Sequence, residues 1–200
     1  MRLNQLSANA KFVLAAVIVA LFGAGGITLR LRHNTEQSKT RFDGKAAEPA
    51  TEAEIAARSK IAPFRVLSVD GVKSTDFTEV RGKATILSFW ASWCGPCLFE
   101  MPTFVEVERR FHDRGLRIVA VNVDEDPAGR ALASEFWKTH GFVFSTFFDL
   151  DRKLQTQFSV DSLPTNFVLD REGRVAFSGF GANDWSSPQT IELIEQLIAE

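Results

Sequence analysis

Cysteine, histidine and tyrosine are all scarce in this chain. Its 200 residues include two cysteines, three histidines and no tyrosine. Two cysteines are too few for the disulfide framework of a small secreted scaffold, and a chain of this length can bury a core without covalent cross-links. A structural zinc site uses four ligands, and the chain has no second cysteine pair to complete one. We therefore expect no bound metal.

An excess of basic charge is also lacking. Lysine and arginine together number 23, aspartate and glutamate 25, and the formal net charge at pH 7 is -2. Proteins that bind nucleic acid usually present a basic face, so no nucleic-acid partner is expected. The remaining composition is that of a globular protein, with 45% hydrophobic and 24% charged residues. It favours one folded domain with appendages.

One long hydrophobic run stands near the start of the chain. Residues 12–29 contain no charged side chain, and as a helix they extend about 27 Å, close to the thickness of a membrane's hydrocarbon core. The run predicts a transmembrane anchor after a short cytoplasmic tail, residues 1–11. A signal peptide cleaved near residues 23–26 and a buried core helix are the alternatives. Basic residues follow the run, and a positive-inside count alone would place the C-terminal part in the cytoplasm. These residues are Arg30, Arg32, Lys39, Arg41 and Lys45.

The rest of the chain divides into a polar tether and a folded domain. Residues 30–60 lack a sustained apolar stripe and predict a tether with a short helix around "TEAEIAARSK". Over residues 61–200, segments typical of strands alternate with segments typical of helices. The continuous apolar run "ATILSFW" predicts a central strand buried on both faces, and "LRIVAVNV" predicts a second buried strand. With a later hairpin and a final amphipathic helix, the pattern predicts an α/β fold in which helices flank a mixed central sheet.

The two cysteines lie three positions apart in "FWASWCGPCLFEMP", after a predicted buried strand and at the start of a predicted helix. A helix N-terminus stabilises a thiolate through its dipole and its free N–H groups. Cys94 is therefore predicted to attack the disulfide of another protein, and the more buried Cys97 to resolve the mixed disulfide. Pro96 suits a first helical turn and removes one donor near Cys94, which favours a reducing pair. A copper(I) site and a structural disulfide are less favoured alternatives.

Glu100 follows Cys97 by one helical turn, on the same predicted face. A carboxylate near a buried thiol can accept and return the proton that the resolving step must move. Glu100 is thus predicted to be the proton acceptor of the pair. The alternative is an ordinary solvated glutamate on the helix surface.

These motifs resemble the thioredoxin superfamily over residues 61–200. "WCGPC" follows an apolar strand, and "LPT" precedes the last strands. Three segments are similar to the membrane-anchored, extracytoplasmic TlpA/ResA-like thiol–disulfide oxidoreductases: "GKATILSFWASWCGPCLFEMP" at 82–102, "VNVDED" at 121–126 and a helix-bearing insert at 127–148. The resemblance implies a thioredoxin fold with an N-terminal transmembrane anchor. It also implies a single-pass protein of the inner (cytoplasmic) membrane with its catalytic domain in the periplasm.

The resemblance implies roles for individual residues as well. Cys94 is the expected nucleophile and Cys97 the resolving thiol. Pro164 matches the family's cis-proline, which lies against the thiols and shapes the substrate groove, and Leu163 lends its backbone to an incoming peptide. Three residues of the cysteine motif complete the expected client-binding surface: Trp93, Gly95 and Pro96.

One position departs from the family pattern. Cytoplasmic thioredoxins carry a buried aspartate six residues before the first cysteine, where this chain has Ser88. The acid–base task therefore has to be done by another group. Glu100 stands where the ResA-like branch has an acidic residue near its thiols, which agrees with the argument from helix geometry.

The expected function is reduction of disulfides in client proteins, in cytochrome c maturation or in copper-site assembly on oxidases. Electrons are expected from a membrane donor. The Cys94–Cys97 disulfide is the expected redox group, without a further cofactor. Two rivals use the same thiols: a copper-binding metallochaperone and a disulfide-forming oxidase or isomerase. The Gly-Pro dipeptide between the cysteines argues against the oxidase.

Overall fold

A seven-stranded mixed sheet organises residues 52–68 and 73–200, the part of the chain that the computed structural model describes. The strands are β1 (Arg65–Ser68), β2 (Ser74–Asp76), β3 (Ala84–Trp90), β4 (Leu116–Asn122), β5 (Ser145–Phe148), β6 (Thr165–Asp170) and β7 (Val175–Phe180). The helices are α1 (Glu52–Ala57), α2 (Phe77–Val80), α3 (Gly95–Phe111), α4 (Pro127–His140), α5 (Lys153–Gln157) and α6 (Pro188–Ala199). The strand order is β2-β1-β5-β4-β3-β6-β7. The predicted α/β class with a mixed central sheet is confirmed.

The two apolar runs form the middle of the sheet. Every residue of β3 is buried, and β4 is buried at all but one half-buried position. The two strands pair in parallel, from Ala84 opposite Leu116 to Trp90 opposite Asn122. Central parallel strands need apolar side chains at nearly every position, because both of their faces are covered. The predicted burial of both strands is confirmed.

The carboxyl ends of β3 and β4 lie along the same edge of the sheet, the edge at which strands end and not a lateral edge strand. Strand β6 begins at this edge. Since β6 runs antiparallel to β3 with Thr165 opposite Phe89, Pro164 lies beside the end of β3. From that end the chain passes through Trp90 into the cysteine motif. The topology thus brings two segments that are far apart in the sequence to one edge.

Helix α3 starts at the cysteine motif, as predicted. Cys94 is its N-cap and Pro96 lies in its first turn, where a missing N–H costs no helical hydrogen bond. A 3-10 turn, His112–Arg114, follows the helix. Gly115 ends this turn at φ 110°, in the left-handed region that favours glycine.

Helix α4 has a sequence signal at each of its ends. It opens at Pro127 after Asp126, whose carboxylate accepts the Gly129 N–H at 2.9 Å. It closes at Gly141, where φ is 59°. Proline at the start and glycine after the end are the residues that these two positions favour.

Aromatic side chains cover both faces of the sheet. On the face toward α3, Phe104 stacks on Trp185 with ring centroids 5.2 Å apart. On the opposite face, Phe158 contacts Phe89 and Phe167 at 5.5 and 5.1 Å. Successive strand residues point to opposite faces, so each strand contributes to both layers of the core.

Part of the predicted organisation lies outside the described residues, namely the tail 1–11, the anchor 12–29 and the tether up to residue 51. Helix α1 confirms the short helix predicted near the end of the tether. The Ile61 N–H donates to the Gly173 carbonyl at 3.0 Å, which joins the chain after α1 to the sheet. Across residues 52–68 and 73–200, no helix has the length and apolar character needed to cross a membrane.

Candidate active site

Cys94 and Cys97 form a disulfide at the N-terminus of α3. Their sulfur atoms are 2.04 Å apart, and the Cys94 sulfur also accepts the Cys97 backbone N–H at 3.2 Å. Cys94 retains 4% of its surface and Cys97 none. The predicted order of exposure holds, but Cys94 is more enclosed than a freely accessible nucleophile. An incoming disulfide therefore has to approach it through its neighbours.

Two large apolar side chains close to Cys94 in the sequence are exposed. Trp93 is 72% exposed and Phe99 is 80% exposed. Gly95 and Pro96, between the two cysteines, are exposed as well. Exposed aromatic side chains in the same segment as a reactive disulfide are typical of a surface that receives another protein. Phe99 was not predicted as part of this surface.

The segment before β6 supplies the other expected binding residues. The Leu163–Pro164 peptide is cis, which confirms the cis-proline that the resemblance implied. Leu163 is half-buried and Pro164 is buried. The Pro164 carbonyl accepts the Gly181 N–H at 2.8 Å, so the residue following β7 fixes this segment at the sheet edge.

Glu100 is completely buried and is surrounded by hydrogen-bond donors. Its Oε2 accepts the Asn183 backbone N–H at 3.1 Å, the Trp185 indole N–H at 3.1 Å and the Asn166 side-chain amide at 3.2 Å. Burial raises the pKa of Glu100 from 4.5 to about 7, against the opposing effect of these hydrogen bonds. Glu100 is therefore not a solvated surface residue, and its carboxyl group exchanges a proton near neutral pH.

Ser88 and Asn166 are opposite each other on β3 and β6, both fully buried beneath Glu100. The Ser88 hydroxyl is one of the groups that lower the Glu100 pKa. Within the described residues, Asn166 Oδ1 has no hydrogen-bond partner. The two strands beneath Glu100 therefore present neutral polar groups to its carboxyl group.

A second buried carboxylate, which the sequence reasoning did not single out, holds the loop before Cys94. Asp124 accepts the Ser92 backbone N–H at 2.9 Å and the Ser92 hydroxyl at 3.2 Å. The Asn122 side chain donates to the same carboxylate at 2.8 Å. The signal in the sequence is the pair of polar residues at the end of a buried strand, in "VNVDED".

The histidines in the described residues lie at helix ends, away from this site. His112 contacts the Glu108 carboxylate through Nδ1 at 2.7 Å, and His140 contacts the Phe136 carbonyl at 2.9 Å. Over residues 52–68 and 73–200, no group of three or more His, Cys, Asp or Glu side chains is arranged to hold a metal ion.

Comparison with known proteins shows which family the chain belongs to. The model of the Redoxin family matches residues 46–196. The chain belongs to the Redoxin family. Within the thioredoxin superfamily this Redoxin member is of the TlpA/ResA-like kind, because it is similar to curated proteins called thiol-disulfide oxidoreductase ResA.

Two of those relatives show the extent of the similarity. The Bacillus subtilis protein is 35% identical over 114 residues, which cover 57% of this chain and 62% of the relative, somewhat less than two thirds of its length. The Geobacillus thermodenitrificans protein is 34% identical over 125 residues, covering 62% of this chain and 70% of the relative. Together with the Redoxin match, these relatives support a thiol–disulfide oxidoreductase activity.

The solved structures agree about the fold. A putative thiol:disulfide interchange protein DsbE from Chlorobium tepidum superposes with a TM-score of 0.61 at 26% identity, covering 70% of this chain and 96% of that one. The predicted thioredoxin fold is thereby confirmed for the described domain.

Proposed function

We propose that this Redoxin member is a membrane-anchored, extracytoplasmic reductase of protein disulfides. Cys94 is the nucleophile, Cys97 the resolving thiol and Glu100 the group that takes the resolving proton. The observation that carries the proposal is the pairing of a disulfide at a helix N-terminus with a completely buried carboxyl group one turn further along the same helix.

The first step begins with the reduced pair. The Cys94 thiolate attacks one sulfur of a client disulfide; a bond forms between Cys94 Sγ and that sulfur, and the other client sulfur leaves as a thiolate that takes a proton from water. The dipole and N–H groups at the start of α3 favour the Cys94 thiolate. The exposed Trp93 and Phe99 and the Leu163–Pro164 segment form the surface on which the client docks.

The second step resolves the mixed disulfide. The Cys97 thiol gives its proton to the Glu100 carboxylate, and the Cys97 thiolate attacks Cys94 Sγ. The Cys94–Cys97 disulfide forms, and the second client sulfur leaves as a thiolate. The client has then gained two electrons and the pair has lost two. A buried thiol needs such an acceptor because its own environment disfavours the thiolate.

The oxidised pair regains two electrons from a donor in the membrane. We assign the anchor to residues 12–29, the tether to residues 30–60 and the catalytic domain to the periplasmic side. Clients in cytochrome c maturation or in copper-site assembly on oxidases fit a reductase held in this position. The ResA relatives and the hydrophobic run support this assignment.

Trapping of the mixed disulfide tests the thiol roles. In Cys97→Ser, a client captured by Cys94 cannot be released, so disulfide-linked adducts should accumulate in the membrane fraction and disappear on reduction. Cys94→Ser is the matched control and should yield none. Adducts formed by Cys94→Ser, or an equal yield from both variants, would contradict the assignment of the nucleophile.

A reporter that is active only outside the cytoplasm, fused after Glu200, tests the location. We expect the fusion to be active and to sediment with membranes. A reporter that works only in the cytoplasm, or a soluble protein that begins near residue 25, would contradict the anchored topology.

A further inference from the structure

The loop between β7 and α6 reaches back to α3 and contacts the Glu100 carboxylate. Trp185 of this loop is fully buried and donates its indole N–H to Glu100 Oε2 at 3.1 Å. The Trp185 backbone N–H donates to Thr103 Oγ1 on α3 at 3.2 Å. Its ring also stacks on Phe104. The indole is therefore held by α3 itself, and its donor is aimed at the carboxylate.

The two oxygens of Glu100 are not equivalent in this setting. Oε2 receives three N–H donors, from Asn183, Trp185 and Asn166, at 3.1 to 3.2 Å. Oε1 receives one N–H donor, the Asn166 amide, at 3.4 Å. Donated N–H groups stabilise negative charge on the oxygen that accepts them, so the proton of the neutral carboxyl group is better placed on the less occupied oxygen.

We propose that Trp185 is a positioning residue that orients the Glu100 carboxyl group, stabilises its ionised form through the indole N–H and leaves Oε1 as the oxygen that carries the proton. This inference rests on the proposed role of Glu100 and deepens it. Two partners of the Trp185 side chain, Glu100 and Phe104, are more than 80 positions away from it in the sequence.

Hydrogen-bonding groups around Glu100 are neutral on every element packed against it. They are Ser88 on β3, Asn166 on β6, and Asn183 and Trp185 in the β7–α6 loop. The charged neighbour in that loop, Asp184, is exposed, and its carboxylate accepts the N–H and hydroxyl of Ser186. In the oxidised protein the two cysteines do not titrate. In the oxidised protein, the pH at which Glu100 titrates therefore depends on the hydrogen bonds that its neutral neighbours donate.

Nuclear magnetic resonance of the oxidised full-length chain tests the contact without any substitution. Titrated from about pH 5 to about pH 9, the Trp185 indole N–H resonance should move with a midpoint of about 7, the pKa of Glu100. The Trp137 indole, which donates to the Phe144 carbonyl, should show no titration that Glu100→Gln removes. In Glu100→Gln the Trp185 titration should disappear. A Trp185 resonance that does not move while the Glu100 carboxyl carbon titrates would overturn the proposal.

Trp185→Phe removes the N–H donor and keeps an aromatic ring against Phe104. The Glu100 carboxyl titration should move upward by about one pH unit, because one donor to a buried charge is lost. The pH dependence of mixed-disulfide resolution should move in the same direction. Trp137→Phe, the matched control, should leave both midpoints in place. An unchanged or lowered midpoint in Trp185→Phe would contradict the assignment.

Different results would contradict the role of Glu100 and the role of Trp185. If Glu100→Gln resolves mixed disulfides at the wild-type rate, the proposed role of Glu100 is wrong whatever the indole does. If Glu100→Gln is slow but Trp185→Phe titrates like Trp137→Phe, Glu100 acts as proposed and the positioning role of Trp185 is wrong.

Discussion

Replacement of Glu100 by glutamine should make the protein more stable and less active above neutral pH. Glutamine keeps the length of the side chain and still accepts the N–H groups of Asn183 and Trp185. Its amide can donate to Asn166 Oδ1, which has no partner in the described residues. The fold should therefore survive, while the charge that is costly to bury is lost.

The magnitude follows from the pKa of Glu100, which rises from 4.5 to about 7 on folding. Between these two values the folded protein keeps the proton and the unfolded chain has released it. Stability therefore falls as pH rises through this window, by about 1.4 kcal/mol per pH unit and roughly 3 kcal/mol in total. Below about pH 4.5 both states are protonated and the cost is absent. Above about pH 7 both are ionised and the full cost remains.

Urea unfolding of oxidised wild type and Glu100→Gln at a series of pH values measures this cost. The disulfide form is used because its cysteines do not titrate. Burial also raises the pKa of Glu108, but that residue is present in both proteins and cancels in the difference. The variant should gain about 3 kcal/mol relative to wild type between about pH 4 and pH 8. A difference in unfolding free energy between the two proteins that stays constant or decreases as pH rises would refute the reasoning.

The same substitution should slow the second step of the reaction. Loss of a general base typically costs about 10² to 10⁴-fold in rate, and less where water takes its place. The thiol pKa values should fall, because a neighbouring carboxylate disfavours a thiolate. Attack by Cys94 is then little affected, and mixed disulfides should accumulate. Wild-type levels of mixed disulfide together with unchanged thiol titration would mean that Glu100 plays no part.

Three further outcomes are expected. Alkylation of the reduced protein at mildly acidic pH should label Cys94 first by peptide mapping, because the helix N-terminus favours its thiolate; preferential labelling of Cys97 would reverse the roles. Asp124→Ala should lower the free energy of unfolding by about 2 to 4 kcal/mol, since it leaves buried donors unpaired; a loss near zero would mean that the loop does not depend on this carboxylate. Trp93→Ala should raise KM for a protein client and change stability by less than about 0.5 kcal/mol, because the side chain is mostly exposed; an unchanged KM would remove Trp93 from the docking surface.

Local signals in the sequence were sufficient for the elements that place the cysteines. An uninterrupted apolar run predicts a strand covered on both faces, and β3 has every residue buried. Proline in the first turn and glycine after the last turn mark the ends of α4. The helix start at Cys94 followed from the same kind of signal. Each of these features depends on neighbours within a few positions.

The surroundings of Glu100 could not be predicted from local sequence signals. Helical spacing placed Glu100 on the face of Cys97 and left a buried acceptor and a solvated side chain as alternatives. The groups that decide between them come from 66 to 85 positions away, from Asn166 on β6 and Trp185 in the β7–α6 loop. Their approach depends on sheet order and on the path of a loop, which no local pattern encodes.

Asp124 was missed for a related reason. Its partner Ser92 is 32 positions earlier in the chain, and the two meet because β3 and β4 are parallel neighbours whose carboxyl ends share an edge. The resemblance had included the segment around Asp124, but the sequence alone offered no reason to connect it with the loop before Cys94.

The reduction potential of the Cys94–Cys97 pair tests the central claim most directly, since it decides the direction in which electrons flow. Equilibration of the full-length protein against defined ratios of reduced and oxidised dithiothreitol, with the thiols quantified by alkylation, measures it. We expect a value more negative than about -200 mV, close to the roughly -270 mV of a reducing thioredoxin. A value near the roughly -120 mV of a disulfide-forming oxidase would contradict the assignment as a reductase.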